Sequence, residues 1–477
     1  QFHVDSYRSI IPATIKGIEK YLGSGLIKGI GPELAKRIVT HFKEQTLDII
    51  NETPERLAEV EGIGEKRIAK ITKAWADQKE IQSIMVFLQS HNISPLYATK
   101  IYKQYGAESI NVVRYNPYQL AEDIRGIGFI TADKIASSLG IQTDSLIRVK
   151  EGIIYTLKRL IEEGHVYYPH LDLIQKAAEL LKVDEGLISP ALQELVEEKR
   201  IVIEEDKVYL KWLYVTETNL ALRLATLKNS RSSLRRINTQ KAIEWVENRL
   251  KLRFAPKQKE AIMAAAEDKV LIITGGPGTG KTTIIRAIIE ILRQLTPKIV
   301  LAAPTGRAAK RMEESTGVKS QTIHRLLEYG PEGFQKGTDD PLDADVVIVD
   351  EASMIDISLM YNLAKAIPHH ATLILVGDIN QLPSVGPGSV LADMIASEEF
   401  KTIYLDEIFR QSQQSQIVVN AHQINNGYMP IITNNLQSDF FFFKEENPER
   451  AANLIVDLCA NRIPRTFGFK PQDIQVL

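Results

Sequence analysis

The chain of 477 residues is long enough for about three or four domains, and its 44% hydrophobic and 25% charged residues are typical of a globular protein. Its single cysteine, Cys459, excludes a disulfide framework and a cysteine-rich zinc site and fits a reducing cytosol. The net charge of −2 provides no global positive field, so any case for nucleic-acid binding must come from local motifs. No apolar stretch has membrane-spanning length and no secretory signal is recognisable, so we expect a cytoplasmic protein without a membrane partner.

Three Gly-Ile-Gly triplets lie near the start of the chain, at 29–31, 62–64 and 126–128. Each opens a segment with helical spacing of its apolar residues. A degenerate fourth copy, at 92–94, has Asn and Ser in place of the glycines. Repetition at this period indicates repeated supersecondary units. We therefore predict an all-α region of tandem repeats over residues 1–140.

The triplets resemble the hairpins of the helix-hairpin-helix family, whose backbone amides hold a DNA phosphate. Amides ahead of a helix N-terminus form an anion site that needs no specific side chain and reads no bases. The alternative is that the glycines only let helices pack in a bundle that binds nothing, and we expect a structural role for the degenerate copy. The predicted DNA-contacting residues here are Gly29, Gly31, Gly62, Gly64, Gly126 and Gly128.

The next segment, 141–235, has helical spacing over 148–163, 171–181 and 189–198, followed by a hairpin pattern over 201–210. This order indicates a winged-helix-like module, which either touches nucleic acid or joins domains. The acidic turn at 204–206 argues against a phosphate contact there. We interpret the basic stretch at 211–260 as a solvated connection into the next domain rather than a DNA track.

A P-loop pattern, G-x-x-x-x-G-K-T, lies at 275–283, directly after an apolar run at 270–273. Its glycines let the backbone wrap a polyphosphate, and the following helix presents its positive end to the same phosphates. We expect Lys281 to reach the β- and γ-phosphates and the Thr282 hydroxyl to ligate Mg²⁺. The predicted nucleotide-binding residues of the loop are Gly276, Pro277, Gly278, Thr279, Gly280, Lys281, Thr282 and Thr283.

Later apolar runs also end in polar motifs. The run at 298–303 leads into Pro-Thr-Gly-Arg, the run at 346–349 into Asp350-Glu351, and the run at 372–376 into Gly-Asp-Ile-Asn-Gln-Leu-Pro. Alternation of strands and helices with polar residues at the strand carboxyl ends predicts a parallel, doubly wound sheet. The expected fold of this segment is therefore an α/β P-loop domain.

Four side chains outside the loop have predicted roles at the nucleotide. Asp350 can hold Mg²⁺ through water and Glu351 can act as general base, because hydrolysis needs both carboxylates beyond the γ-phosphate. The neutral amide of Gln381 is placed to sense the γ-phosphate. Gln258, just before the P-loop strand, could bind an adenine edge because an amide both donates and accepts hydrogen bonds.

This ordered set of motifs resembles superfamily 1 DNA helicases of the RecD type. In that family the arginine of the motif at 408–411, here Arg410, contacts the γ-phosphate, and Pro304, Thr305 and His324 lie along single-stranded DNA. Arg307 follows in the same motif as Thr305 and is predicted to contact DNA too.

The resemblance implies an ATP-dependent DNA helicase that moves 5′→3′ on single-stranded DNA in repair or recombination. Its implied cofactors are ATP and Mg²⁺, and its implied partners are single-stranded DNA and junctions of single- and double-stranded DNA. We expect a monomer, and the sequence identifies no protein partner.

We predict four regions: helix-hairpin-helix repeats at 1–140, a winged-helix-like connector at 141–235, a RecA-like motor domain at 236–400 and the beginning of a second RecA-like domain at 401–477. Both ends have the look of cuts in a longer polypeptide. The later motifs of the family, which include an arginine finger, do not occur here. We therefore expect nucleotide binding, whereas hydrolysis by these residues would lack one of its arginines.

Two other functions fit parts of the pattern. An AAA-type branch-migration or clamp-loading ATPase also has a P-loop and Asp-Glu, but it needs a sensor asparagine where this chain has Gln381. A non-enzymatic DNA-binding module whose shape is gated by nucleotide would show no turnover. Stimulation of ATP hydrolysis by single-stranded DNA separates these functions from a helicase.

Overall fold

A computed structural model describes residues 15, 18, 19, 22, 30–91, 93–407, 414–432, 434 and 438–477. The chain divides into two compact units. One comprises Gln1–Leu160 and Tyr167–Lys211, and the other comprises Ile161–Val166 and Trp212–Leu477. No helix among the described residues is long and apolar enough to cross a membrane.

The first unit begins with the repeats. Their helices are α1 (Pro32–Phe42), α2 (Thr46–Glu52), α3 (Glu65–Ser90), α4 (Pro95–Tyr105), α5 (Ser109–Tyr115), α6 (Gln119–Asp123) and α7 (Phe129–Ser138). Short 3-10 turns lie at Lys43–Gln45, Pro54–Glu59 and Gly106–Glu108. The predicted repeat is confirmed, because α1, α3, α4 and α7 each begin directly after the last residue of one triplet copy.

The repeats pack as two pairs with separate hydrophobic cores. One core contains Ile38, Leu57 and Ile71, and the other contains Leu88 and Ile101. An equivalent hydrogen bond from a side chain to a carbonyl joins the two hairpins of each pair. Arg37 Nη1 donates to the carbonyl of Glu61 at 3.0 Å, and Lys100 Nζ donates to the carbonyl of Arg125 at 3.1 Å. These carbonyls directly precede the glycines at 62 and 126, so the duplicated unit is a pair of hairpins.

The winged-helix-like order is also present in the first unit. Its elements are α8 (Leu146–Glu162), β1 (Tyr167–Pro169), α9 (His170–Leu181), a 3-10 turn (Glu185–Leu187), α10 (Ile188–Glu197), β2 (Ile201–Glu204) and β3 (Lys207–Leu210). The predicted hairpin of β2 and β3 is confirmed, and β1 adds a third antiparallel strand in the order β1-β3-β2. Sequence reasoning missed β1 because its three residues are too few to show alternation.

The second unit contains the P-loop sheet. Its helices are α11 (Lys211–Asn229, which starts at the end of the first unit), α12 (Thr239–Leu250), α13 (Pro256–Glu267), α14 (Lys281–Leu292), α15 (Gly306–Thr316), α16 (Ile323–Leu326), α17 (Ile357–Ala366) and α18 (Val390–Ala396). Its strands are β4 (Val270–Gly275), β5 (Ile299–Ala303), β6 (Ser320–Thr322), β7 (Tyr329–Gly330), β8 (Gly333–Phe334), β9 (Val346–Val349), β10 (Thr372–Gly377) and β11 (Lys401–Leu405). A 3-10 turn lies at Ala352–Met354.

Six of these strands form the predicted parallel sheet, in the order β11-β4-β10-β9-β5-β6. Strand side chains alternate between two hydrophobic clusters, with Ile272 in one and Leu271 and Ile273 in the other. Helices therefore cover both faces, as expected for a buried parallel sheet. This arrangement places the carboxyl ends of all six strands at one edge.

Two predicted boundaries differ from the structure. Helix α11 was assigned to the connector, but Leu213, Leu220 and Leu224 are buried in the same cluster as strands β9 and β10. Strand β11 was assigned to a second RecA-like domain, but Lys401 pairs with Leu271 of β4 at the edge of the first sheet. Both elements are joined to the sheet by long-range packing, which local composition does not reveal.

Beyond β11 the described residues form helices α19 (Gln416–Asn425), α20 (Pro448–Asp457) and α21 (Ile463–Phe467), with a π-helical turn at Leu458–Arg462 and a 3-10 turn at Pro471–Asp473. Within the described ranges 414–432 and 438–477 there is no strand. The assignment of 401–477 to the beginning of a second RecA-like domain stays a prediction.

Candidate nucleotide-binding site and DNA-contacting elements

The P-loop connects the end of β4 to the start of α14 at the carboxyl edge of the sheet. Gly278 and Gly280 have φ of 78° and 85°, a left-handed conformation that side chains disfavour. Lys281 Nζ donates to the carbonyls of Gly275 and Gly276 at 2.5 and 3.1 Å. The ammonium group is therefore held inside the loop and would exchange these two carbonyls for phosphate oxygens.

A cavity of about 660 Å³ joins the loop to residues predicted from separate motifs. Its lining includes all eight predicted residues of the loop, together with Gln258, Asp350, Glu351 and Gln381. The fold thus brings together side chains as far apart in sequence as Gln258 and Gln381. Their individual roles stay predictions.

Asp350 and Glu351 follow strand β9, which ends beside β10 and β5. Burial raises the pKa of Asp350, whereas the backbone N–H of Glu351, which donates to Asp350 Oδ1 at 2.9 Å, lowers it. Burial raises the pKa of Glu351 as well, and the neighbouring charge of Asp350 adds to this effect. Glu351 Oε2 is buried and has no hydrogen-bond partner among the described residues. A carboxylate with a raised pKa and a free oxygen is suited to accept a proton from water.

Gln258 is buried, and both ends of its amide are engaged with the backbone. Its Oε1 accepts from the N–H of Ala255 at 3.1 Å, and its Nε2 donates to the carbonyl of Thr279 at 3.1 Å. The expected contact with adenine would have to use the second N–H or the second lone pair of this amide. Gln381, in contrast, faces the cavity, with its Nε2 3.4 Å from Asp378 Oδ2.

Sequence reasoning missed several residues of the cavity wall. Arg311, Met312 and Ser315 of α15 line it, and the positive charge of Arg311 lowers the pKa of both Asp350 and Glu351. A signal was available, because these positions lie on one face of a helix that starts after Thr305. Phe254 and Arg253 form another part of the wall.

The predicted magnesium ligands, Thr282 and Asp350, line the same cavity. Among the described residues no group of three or more His, Cys, Asp or Glu side chains could hold a metal. A site of one hydroxyl and one carboxylate fits Mg²⁺, which usually takes few protein ligands beside nucleotide phosphates and water. Bound there, the ion would neutralise charge on the phosphates.

Residues predicted to contact single-stranded DNA also meet at the carboxyl edge. Strands β5 and β6 pair with Ala303 beside Thr322, so Pro304 and Thr305 follow one strand and His324 follows its neighbour. The ring of His324 lies 5.5 and 5.7 Å from those of Tyr329 and Phe334.

Thr305 Oγ1 caps α15 by accepting from the N–H of Ala308 at 3.3 Å. Arg307 Nη1 donates to Gln475 Oε1 at 2.8 Å, which occupies one of the five N–H donors of this side chain.

The hairpin glycines divide into two kinds. Gly62 and Gly126 have φ of 85° and 95°, so the turn itself requires glycine. Gly31, Gly64 and Gly128 have no such φ, and a Cβ placed on any of them would meet nothing within 4 Å. The fold gives no reason for glycine at these three positions, which is the pattern expected where a ligand approaches the backbone.

Two predicted site residues lie outside the described part of the chain. They are Gly29, of the first hairpin, and Arg410, of the motif after β11. The roles predicted for both remain predictions.

Three segments of the chain match known families. Residues 23–77 match the SAM-like helix-hairpin-helix tandem, residues 77–167 the helix-hairpin-helix domain of ATP-dependent RecD2 DNA helicases, and residues 258–387 an AAA domain.

Individual proteins match over longer stretches. The ATP-dependent RecD2 DNA helicase of Deinococcus radiodurans is 30% identical over 430 residues, which cover 87% of this chain and 59% of that protein. The RecBCD enzyme subunit RecD of Mycolicibacterium smegmatis is 36% identical over 165 residues, which cover 29% of this chain and 30% of that protein. The chain therefore spans less than two thirds of the length of these relatives.

Among solved structures, the Pif1 helicase from Candida albicans aligns with a TM-score of 0.30 and 25% identity, over 38% of this chain and 45% of that one. The family matches place helix-hairpin-helix segments ahead of the P-loop domain, in the order of the motifs, and the Deinococcus relative aligns with most of the chain. Over these segments the chain is similar to ATP-dependent RecD2 DNA helicases and to the RecD subunits of RecBCD enzymes.

Proposed function

We propose that the protein is an ATP-dependent DNA helicase that translocates 5′→3′ on single-stranded DNA and acts in DNA repair or recombination. The observation that carries this proposal is the single cavity that gathers the P-loop, Asp350, Glu351 and Gln381. The family matches and the names of the relatives support the coupling of this site to DNA, and direction and pathway rest on the resemblance alone.

Each of these residues of the cavity has its own proposed role in hydrolysis. Lys281 would bind the β- and γ-phosphates, while Thr282 and Asp350 would hold Mg²⁺. Glu351 would accept the proton of the attacking water, and Gln381 would hydrogen-bond the γ-phosphate. Arg410 is proposed to add positive charge there.

The proposed DNA path uses two kinds of contact. Pro304, Thr305, Arg307 and His324 would lie along the single strand at the edge of the sheet. The hairpin amides would hold phosphates without base preference. Junctions of single- and double-stranded DNA are the proposed substrate, and we propose that the protein acts as a monomer in the cytoplasm.

Strand displacement by the full-length protein tests the proposal. We expect MgATP-dependent unwinding of a duplex with a 5′ single-stranded tail, little unwinding with a 3′ tail, and ATP hydrolysis stimulated by single-stranded DNA. The control is Lys281→Ala, which should abolish turnover but leave hairpin-mediated DNA binding intact. Turnover without DNA stimulation would favour an AAA-type ATPase, and simultaneous loss of turnover and DNA binding in Lys281→Ala would contradict the division between the two sites.

A further inference from the structure

The first two residues of the P-loop lie close to the last strand of the sheet and to the helix that follows it. A Cβ on Gly275 would lie 2.7 Å from the carbonyl oxygen of Leu405, at the end of β11. A Cβ on Gly276 would lie 2.7 Å from Cε1 of His422, on helix α19. Neither glycine has a positive φ, so backbone conformation does not explain them.

Position 276 is one of the four variable positions of the motif G-x-x-x-x-G-K-T, so phosphate binding alone does not demand glycine there. The close approach of His422 supplies the reason. The same imidazole places Nε2 3.3 Å from the carbonyl oxygen of Pro277, a distance at which a protonated Nε2 donates a hydrogen bond. His422 therefore contacts two consecutive residues of the loop.

Helix α19, which carries His422, is held in place by hydrogen bonds at two positions. Asn420, which is 1% exposed, exchanges two hydrogen bonds with the backbone of Ile431, at 2.8 and 2.9 Å. At the start of the helix, the carboxylate of Asp439 accepts from the Ser415 hydroxyl at 2.6 Å and from the N–H of Gln416 at 2.7 Å. A displacement of His422 would therefore be passed on to α19 and to the residues that these hydrogen bonds join to it.

The contacted part of the loop lines two cavities. Gly276 and Pro277 line the nucleotide cavity. They also line a second cavity, of about 690 Å³, together with His422 and Asn425. Lys281 donates to the carbonyl of Gly276, and the next carbonyl, that of Pro277, is the one that faces His422, so a movement of Lys281 towards a phosphate would act on this part of the loop.

We propose that His422 is a positioning residue that restrains the P-loop and transmits its displacement on nucleotide binding to α19. This inference rests on the proposed function of the cavity as a nucleotide site. It assigns a mechanical link between the loop and the chain that follows the first sheet. The link consists of one hydrogen bond and one close contact at a glycine.

The first test measures binding of a fluorescent ATP analogue, with Mg²⁺, to the full chain. His422→Ala removes the restraint on the loop, so we expect tighter binding by about twofold to tenfold, the range that corresponds to one hydrogen bond. His422→Gln keeps a donor and should fall between. Ile417→Ala, at a 52% exposed position on α19, should match the wild type. Unchanged or weaker binding by His422→Ala contradicts the proposal.

Hydrogen exchange of the α19 amides gives a readout that does not depend on turnover. In the wild type we expect exchange over 416–425 to change when a non-hydrolysable ATP analogue binds. In His422→Ala it should stay the same with and without the analogue. An equal response in both proteins would show that α19 senses the nucleotide by another route.

Gly276→Ala completes a double-mutant cycle. Its Cβ would displace the imidazole and break the same bond, so Gly276→Ala and His422→Ala should have similar effects on α19 exchange, and the double variant should be no different from either. Additive effects would overturn the proposed contact. If the wild type binds no nucleotide, the proposed function itself fails, whereas wild-type binding with unaffected variants removes only the role of His422.

Discussion

Gln258 Nε2 donates a hydrogen bond to the carbonyl of Thr279, which ties the first turn of helix α13 to the middle of the P-loop. Gln258 is 3% exposed and Thr279 is 1% exposed, so water does not compete for this bond. The bond holds the middle of the loop through a carbonyl group, so the N–H groups of the loop remain available to phosphates.

Gln258→Ala should therefore weaken ATP and GTP binding by a similar factor, about fivefold, because loss of one buried hydrogen bond loosens the loop for any nucleotide. Competition with a fluorescent nucleotide measures both affinities, and Lys257→Ala, an exposed neighbour, is the control. If the variant instead loses its preference for ATP over GTP, the amide binds adenine as the sequence predicted.

Arg311 should set the pH dependence of hydrolysis. The base must be deprotonated, and burial raises the pKa of Glu351, so activity rises with pH through a range above that of an ordinary glutamate. Arg311→Gln removes a positive charge that lowers this pKa, so the acid limb of the kcat profile should move to higher pH. Lys310→Gln, on the exposed face of α15, should leave the profile in place. An unmoved limb in Arg311→Gln would show that Arg311 does not act on the base.

The hairpin glycines allow DNA binding to be separated from folding. Gly64→Ala and Gly128→Ala should fold normally, because the new methyl groups meet nothing, but should lose about threefold to tenfold in affinity for DNA because they obstruct a phosphate. The matched control is Ser94→Ala in the degenerate repeat. It loses the cap to the N–H of Tyr97 and about 1 kcal/mol of stability, but should keep its DNA affinity. Normal DNA binding by both glycine variants would make these hairpins packing elements only.

Glu247 should make the P-loop unit sensitive to acid. The N–H of Phe254 donates to its carboxylate at 2.9 Å, and with Lys259 and Arg253 it lowers the pKa of Glu247 to about 2. Because this pKa is lowered in the folded state, the stabilisation is complete above the unfolded value of 4.5 and disappears as pH falls towards 2. Denaturant unfolding should show a loss of about 1–3 kcal/mol over this range that is absent in Glu247→Gln. Glu244→Gln, exposed on the same helix, should behave like the wild type.

Features that depend on local pattern were predictable. The P-loop, the Asp350-Glu351 pair and the parallel sheet follow from short motifs at the ends of apolar runs, and the structure brings these motifs together. The place of Arg311 in the cavity wall could have been predicted from helical spacing. The place of His422 could not, because its approach to Gly276 depends on how α19 packs against the loop, and no periodicity in the sequence encodes that distance. The positions of α11 and β11 escaped prediction for the same reason.

Helix α15 connects the residues predicted to bind DNA with the residues predicted to hydrolyse nucleotide. It is capped by Thr305, at the proposed DNA edge, and it carries Arg311 in the wall of the phosphate cavity. These residues are six positions apart, about 9 Å along a helix axis. A bound DNA strand that tilts the first turn of α15 would therefore also move the positive charge of Arg311 in the cavity that contains Glu351. In the proposed helicase, stimulation of hydrolysis by DNA would then begin within one secondary-structure element, before any large domain rearrangement.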